Sequence, residues 1–151
     1  MLSSAQPEFR MGPGGDLEAE LGRLPDGACL ALAPGRYRLD GLAVRRALRL
    51  FGAGSQATVL EGSLHIEGCL ELFDLAVEHD GEYCVEVRGG ELRAERCRFN
   101  GAAQAGVSLS GESRARIRWC ELSGCERGLV VQDRARLEVQ ASRLLDNRSE
   151  G

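Results

Sequence analysis

The sequence predicts an all-β fold, a single-stranded parallel β-helix of about five coils with a short N-terminal capping helix. Three observations carry that expectation. Alternating apolar pairs recur five times, at Leu42/Val44, Leu64/Ile66, Val85/Val87, Val107/Leu109 and Leu129/Val131, with spacings of 22, 21, 22 and 22 residues. A second set follows at a near-constant offset, at Leu48/Leu50, Leu70/Leu72, Leu92/Ala94, Ala115/Ile117 and Leu137/Val139. A third stripe reads Phe73/Leu75, Cys97/Phe99, Cys120/Leu122 and Ser142/Leu144. Each pair is one short strand with its apolar side inward, because side chains alternate across a strand. Three such strands per ~22-residue turn make a solenoid in which equivalent positions stack about 4.8 Å apart.

The outward positions fit the same register. Like charges directly over one another destabilise a ladder, and one outward column reads Arg49, Glu71, Arg93, Arg116, Glu138 while another reads Arg98, Glu121, Arg143. The dense charge is therefore expected to form rung-to-rung pairs on a solvated face. Gly41, Gly106 and Gly128, with Ser63 and Cys84 at the equivalent places, are expected to mark the corner before the first strand, where permissive backbone is needed.

At the N-terminal end, residues 1–15 are polar and rich in Gly and Pro and are expected to form a disordered lead-in to a β-helix domain over 16–151. A capping helix is expected over 16–24. Asp16 serves as its N-cap, Glu18 and Glu20 suit the positive end of the helix dipole, and Leu17, Leu21 and Leu24 form one apolar side before Pro25 ends it. The coils occupy 28–151, with the last incomplete because Gly151 falls 23 residues after Gly128. No second cap is legible after Leu145. The expectation is a C-terminal edge either cut from a longer protein or covered by another chain, with Leu144 and Leu145 as the candidate interface.

Bulk composition narrows the chemistry. All 19 basic residues are Arg, which excludes a Schiff-base lysine, a P-loop lysine and a lysine general base. The net charge of −4 is mild and its signs are interspersed, so no nucleic-acid partner is expected. No signal-peptide core and no run of about 18 apolar residues is present, giving an expectation of a cytoplasmic protein with no membrane partner. Cys29, Cys69, Cys84, Cys97, Cys120 and Cys125 read as free buried thiols, Cys97 and Cys120 stacking in one column, and neither a metal site nor a cofactor is implied.

Candidate sites are few. From Asp74 to Glu82 the chain carries Asp74, Glu78, His79, Asp80 and Glu82 on or near a loop joining two coils. Carboxylates beside an imidazole could bind calcium or supply the acid–base pair that sugar cleavage requires, with Asp74, His79 and Asp80 as catalytic candidates and Glu78 and Glu82 as ligand-binding ones. A polar turn explains the same residues. His65 is expected outward below Glu86, as a stacked pair without catalytic role. Gly52-Ala53-Gly54 is read as a corner, since no Lys follows as a phosphate loop needs. Trp119, at a corner, is a candidate to stack on a sugar ring or a partner.

The segment Leu24-Pro25-Asp26-Gly27 through Leu30-Ala31-Leu32-Ala33-Pro34-Gly35-Arg36-Tyr37, with the later Gly-Val-Ser-Leu and Gly-Leu-Val-Val rungs, resembles the right-handed parallel β-helix superfamily. That superfamily includes pectate-lyase-like proteins and carbohydrate-binding and sugar-hydrolysis modules. The resemblance covers about Asp16 to Gly151 and implies right-handed coils, the hand that parallel crossovers also prefer. It implies no reaction, because this scaffold carries lyases, hydrolases, adhesins and spacers alike. No segment matches the acidic or Arg-Pro motifs of the lyases or the Gly-His-Gly of the polygalacturonase-like hydrolases. The leading expectation is a non-catalytic binding or scaffold module acting through a protein partner or self-association. The alternatives are a carbohydrate-active enzyme or sugar-binding module, and a structural spacer within a longer protein.

Overall fold

The structure is a computed structural model describing residues 9–145 and residue 147. It holds one helix, α1 (Leu17–Arg23), and eighteen strands, numbered in chain order and all parallel, in three sheets. The first sheet stacks β1 (Phe9–Met11), β2 (Ala28–Leu32), β5 (Ala47–Phe51), β8 (Cys69–Phe73), β11 (Glu91–Glu95), β14 (Arg114–Arg118) and β17 (Arg136–Gln140). The second stacks β3 (Gly35–Arg38), β6 (Thr58–Glu61), β9 (Ala76–Glu78), β12 (Arg98–Asn100), β15 (Glu121–Ser123) and β18 (Arg143–Leu145). The third stacks β4 (Leu42–Val44), β7 (Leu64–Ile66), β10 (Tyr83–Arg88), β13 (Ala105–Ser110) and β16 (Arg127–Val131). The chain visits the sheets in rotation, making about six turns rather than five. The turn the repeat count omits is the entry coil through β2 and β3, whose apolar residues do not share the spacing of the later rungs.

Two of the three apolar stripes stack as the repeat demands. Leu48, Leu70, Leu92, Ala115 and Leu137 lie in register, as do Leu42, Leu64, Val85, Val107 and Leu129. The third is displaced by two residues in its lowest copy. Val77, not Leu75, lies under Phe99 and Leu122, and Leu75 precedes the strand at the corner. Phe73 belongs instead to the first sheet, where its ring stacks on Phe51 at 4.5 Å between centroids. Phe73 points away from the column of Leu70 and Leu72, and stacking on Phe51 covers it there.

Residues 1–8 of the expected lead-in lie outside the described residues, and the part that follows differs from expectation. Phe9–Met11 is a strand whose residues pair with Leu30, Ala31 and Leu32 of β2. Phe9 and Met11 pack against the core, so a short polar-flanked segment still gains a strand when a sheet edge is waiting for it. Helix α1 sits where the sequence places it. The Asp16 carboxylate accepts from Ala19 N–H at 3.1 Å, and Leu17, Leu21 and Leu24 are buried. The far end is capped by Arg46, whose guanidinium donates to the carbonyls of Leu21 and Leu24 at 2.6 Å each, satisfying oxygens a helix terminus leaves unpaired. Among the described residues no helix is long and apolar enough to cross a membrane.

The corner after the first sheet is built by left-handed residues that are not glycine. Asp74, Arg96, Trp119 and Ala141 stack in one column with φ of 57°, 55°, 53° and 49°. Each costs roughly 1–2 kcal/mol relative to ordinary backbone. The offset is visible in the column's hydrogen bonds: the N–H groups of Asp74, Arg96 and Trp119 donate to the carbonyls of Glu95, Arg118 and Gln140 one rung on, at 3.0–3.1 Å. Gly106 and Gly128 turn out to be strand residues. A Cβ on Gly106 would lie 3.0 Å from Gly128 O and 3.5 Å from Cys125 Sγ, and one on Gly128 2.8 Å from a Leu144 methyl, so close approach and not a bend demands glycine there. Gly41 does precede its strand, with φ of 76°.

Candidate functional site

The stretch from Asp74 to Glu82 is not one loop, because β9 runs through its middle and sends its two ends to different corners. Glu78, His79 and Asp80 reach the corner after the second sheet. There they line a groove of about 970 Å³ with Arg38, Asp40, Glu61, Asn100, and Asp16 and Glu18 of the lid. Glu61 and Glu78 lie one above the other in register, a like-charge step relieved by Arg36, whose guanidinium reaches Glu61 and, at 3.3 Å, Glu78. Those two carboxylates hold the Arg36 pKa above its usual value, Glu61 contributing most. Arg98 closes on Glu78 from above at 3.5 Å, instead of pairing up its own column with Glu121. Glu18 accepts from the backbone N–H of Asp40, pinning α1 to the first coil.

Asp74 is held elsewhere. Its two oxygens accept from Arg96 Nε at 2.7 Å and Nη2 at 3.1 Å, a two-pronged bond between neighbours in the left-handed corner column. Trp119 occupies the same column one rung above Arg96, half exposed, with the Arg118 guanidinium 4.9 Å from its ring centroid. Glu82 accepts from Gln104 at 3.1 Å, and Gln104 in turn accepts from Tyr83 OH. The structure thus brings together Glu78, His79 and Asp80, and separates Asp74, Glu82 and Trp119 from them. Among the described residues no grouping of three His, Cys, Asp or Glu side chains is arranged to hold a metal ion. Arg36 and Arg98 pair with Glu61 and Glu78, yet the groove is lined by six carboxylates and one guanidinium, Arg38, which makes it a poor seat for a polyanion.

His65 is where the sequence puts it, outward between Ala43 and Glu86, with Nδ1 2.9 Å from the Glu86 carboxylate. The Arg49–Glu71 and Arg116–Glu138 steps of the charge ladder close at 3.8 and 2.8 Å. Arg93 instead turns along its own strand to Glu95 at 3.1 Å, which leaves it stacked on Arg116. All six cysteines are free, and Cys97 lies below Cys120. Burial pushes the Cys97 thiol up, and the bond it shares with Cys120 holds Cys120 down.

The remaining candidates, Leu144 and Leu145, lie on the last described turn, where the core comes to the surface. Following one inward column upward, Ile117 is 0% exposed and Val139 38%; in the next, Leu122 is 0% and Leu144 40%. Val131 and Leu145 are similarly bare, so four of the five exposed large apolar side chains among the described residues lie on this one rung. The signal legible in sequence was the pair Leu144 and Leu145 on the last of the repeats. The clustering needed the coordinates.

These features define a parallel β-solenoid lidded at one end and apolar at the other. A family model described as "Right handed beta helix region" matches residues 62–151, and the chain belongs to that family, which gives the coils their hand. Among solved structures, the chain is similar to that of a mutant of AlyGC, a PL6-family alginate lyase, at 14% identity and a TM-score of 0.57. The match covers 90% of this chain but 20% of the lyase, so the chain spans about a fifth of that protein's length and the likeness is one of fold. No curated protein matches the chain.

Proposed function

We propose that this chain is a non-catalytic β-solenoid module that binds another polypeptide on the rung formed by β16, β17 and β18. The observation that supports the reading is the apolar rung itself. Val131, Val139 and Leu144 continue buried core columns into solvent, Leu145 lies bare beside them on an outward column over Ser123, and the backbone groups of β17 and β18 have no strand beyond them among the described residues. A partner strand laid on that edge completes the ladder and covers the columns in one step. Light scattering across a concentration series, with amide exchange read on β17 and β18, tests this. Mass rising with concentration and slowed exchange on these strands support it. A chain that stays monomeric, with these amides exchanging freely alone and in its native extract, sinks it.

A carbohydrate-active or sugar-binding module is the second reading. It is favoured by the groove holding Glu78, His79 and Asp80 and by the likeness to a polysaccharide lyase fold. Substituting His79→Ala and Asp80→Ala and assaying against neutral and acidic polysaccharides decides it. Cleavage or binding that the double variant loses would establish the groove. Activity that is absent or unchanged would remove it.

A further inference from the structure

Resting on the reading of the last rung as a polypeptide-binding edge, we propose that its occupant is a second copy of this chain. The copies are joined top to top across a two-fold axis, with β17 of each paired antiparallel to β17 of the other and Leu137 facing Leu137.

The ends of the solenoid dictate the pairing. At the lower end α1 buries Leu17 and Leu21 against the first coil and turns Glu20 and Arg23 outward. A head-to-tail stack would lay an apolar rung on that charged helix. It would also hold the strands apart, because a helix is about 10 Å thick and a rung about 4.8 Å. Beside that helix the lower end offers, in the sheet of β17, only the three residues of β1 as strand edge, against five in β17, so like end meets like end, which makes the contact isologous and closed rather than filamentous.

The sequence of β17 then selects one register. Inward residues must oppose inward residues, since a slip by one turns every side chain to the wrong face. Centring the pair on Glu138 sets two carboxylates against each other, and centring it on Arg136 opposes two guanidinium groups. Centring it on Leu137 instead places Ala135 opposite Val139 and Arg136 opposite Glu138, each contact occurring twice by symmetry.

The charges fit independently of the apolar match. Arg136 stacks directly on Arg114, and neither has an ion-pair partner among the described residues, so the ladder's pattern of opposed charges breaks at this step. Glu138 of the second copy supplies the missing carboxylate, while Arg116 holds the near side of that same residue at 2.8 Å within its own chain. The rotation also carries β16 of one copy over β18 of the other, bringing the inward Val131 toward the inward Leu144.

The test is a cross-link read by position. Opposed antiparallel residues have Cα atoms about 4.5–5.5 Å apart, inside the range a disulfide spans. Leu137→Cys in a glutathione redox buffer is expected to give a covalent dimer linked through position 137, identified by peptide mass, whereas Glu138→Cys is expected to remain unlinked. In parallel, Arg136→Glu, an exposed change whose fold is checked by circular dichroism, is expected to weaken association at least tenfold. A link at position 138 in place of 137, species larger than a dimer, or indifference to Arg136→Glu overturns this geometry while leaving the binding edge standing. A chain that never self-associates, even with β17 and β18 protected in native extract, also overturns the second-copy assignment alone; free exchange there overturns the edge itself.

Discussion

Replacing Leu144 with Glu separates association from folding, because the residue lies in a buried column yet on the last rung. Its side chain is 40% exposed, and covering that remainder is worth about 40% of the roughly 1.5–3 kcal/mol for a full leucine, or about 1 kcal/mol. The variant forfeits this and buries an unpaired carboxylate at the contact, a further cost of at least 1–3 kcal/mol, roughly. With two copies of the site in a symmetric pair, the combined loss is about 4 kcal/mol or more. At 1.4 kcal/mol per decade that is roughly a thousandfold in dissociation constant. In the isolated chain the covered part of the same leucine is worth roughly 1–2 kcal/mol on that scale, so stability read by urea titration should fall by about that much, well short of the loss in association. Light scattering at matched concentrations, with circular dichroism to verify folding, measures both. Association unaffected by Leu144→Glu would refute the argument that the bare columns drive it.

Two further changes probe the solenoid. A Cβ on Gly52 would lie 2.3 Å from Asp74 O and 2.8 Å from Leu75 Cβ, whereas one on Gly89 meets nothing within 4 Å. Gly52→Ala should therefore force adjacent coils apart and cost about 3 kcal/mol by urea titration, while Gly89→Ala costs only about 1 kcal/mol for its φ of +74°; equal losses would contradict the close-approach account. The Cys84 thiol is raised by its bond to Cys125 and by burial, and Cys97 chiefly by burial. Since the fold favours their neutral form, their contribution is intact below the ordinary thiol range and falls as pH climbs past about 9, where the unfolded chain gives up those protons. Cys120, shifted the other way, offsets part of this. Urea midpoints at pH 8 and pH 10 should show lower stability at the higher pH, and iodoacetamide at pH 8 should leave Cys84 and Cys97 unmodified until the chain unfolds. Rapid labelling of either in the folded state would count against their burial.

What the sequence determined by itself was the repeat and the faces. A period near 22 residues, with inward leucine and valine at every second position, allows one architecture, because only stacked parallel strands bring residues that far apart into one column. Thus Leu70 sits over Leu48 and Glu86 over His65 as the spacing requires. The helix N-cap was legible for the same reason, since Asp16 and Ala19 are near neighbours in the chain. The phase of the lowest third strand was legible as well, since Val77 stands 22 residues before Phe99 and the left-handed corner at Asp74 recurs unchanged at Arg96 and Trp119. Tertiary structure decided whatever depends on a choice between neighbours at similar distances. Arg93 had carboxylates both along its column and along its strand and took the latter, and Glu78 was drawn away from Asp74 by β9 lying between them. Side-chain identity sets what a residue can bond; only the packed coils settle which of several partners is nearest, and it is there that the bare upper rung and its unmatched Arg136 came into view.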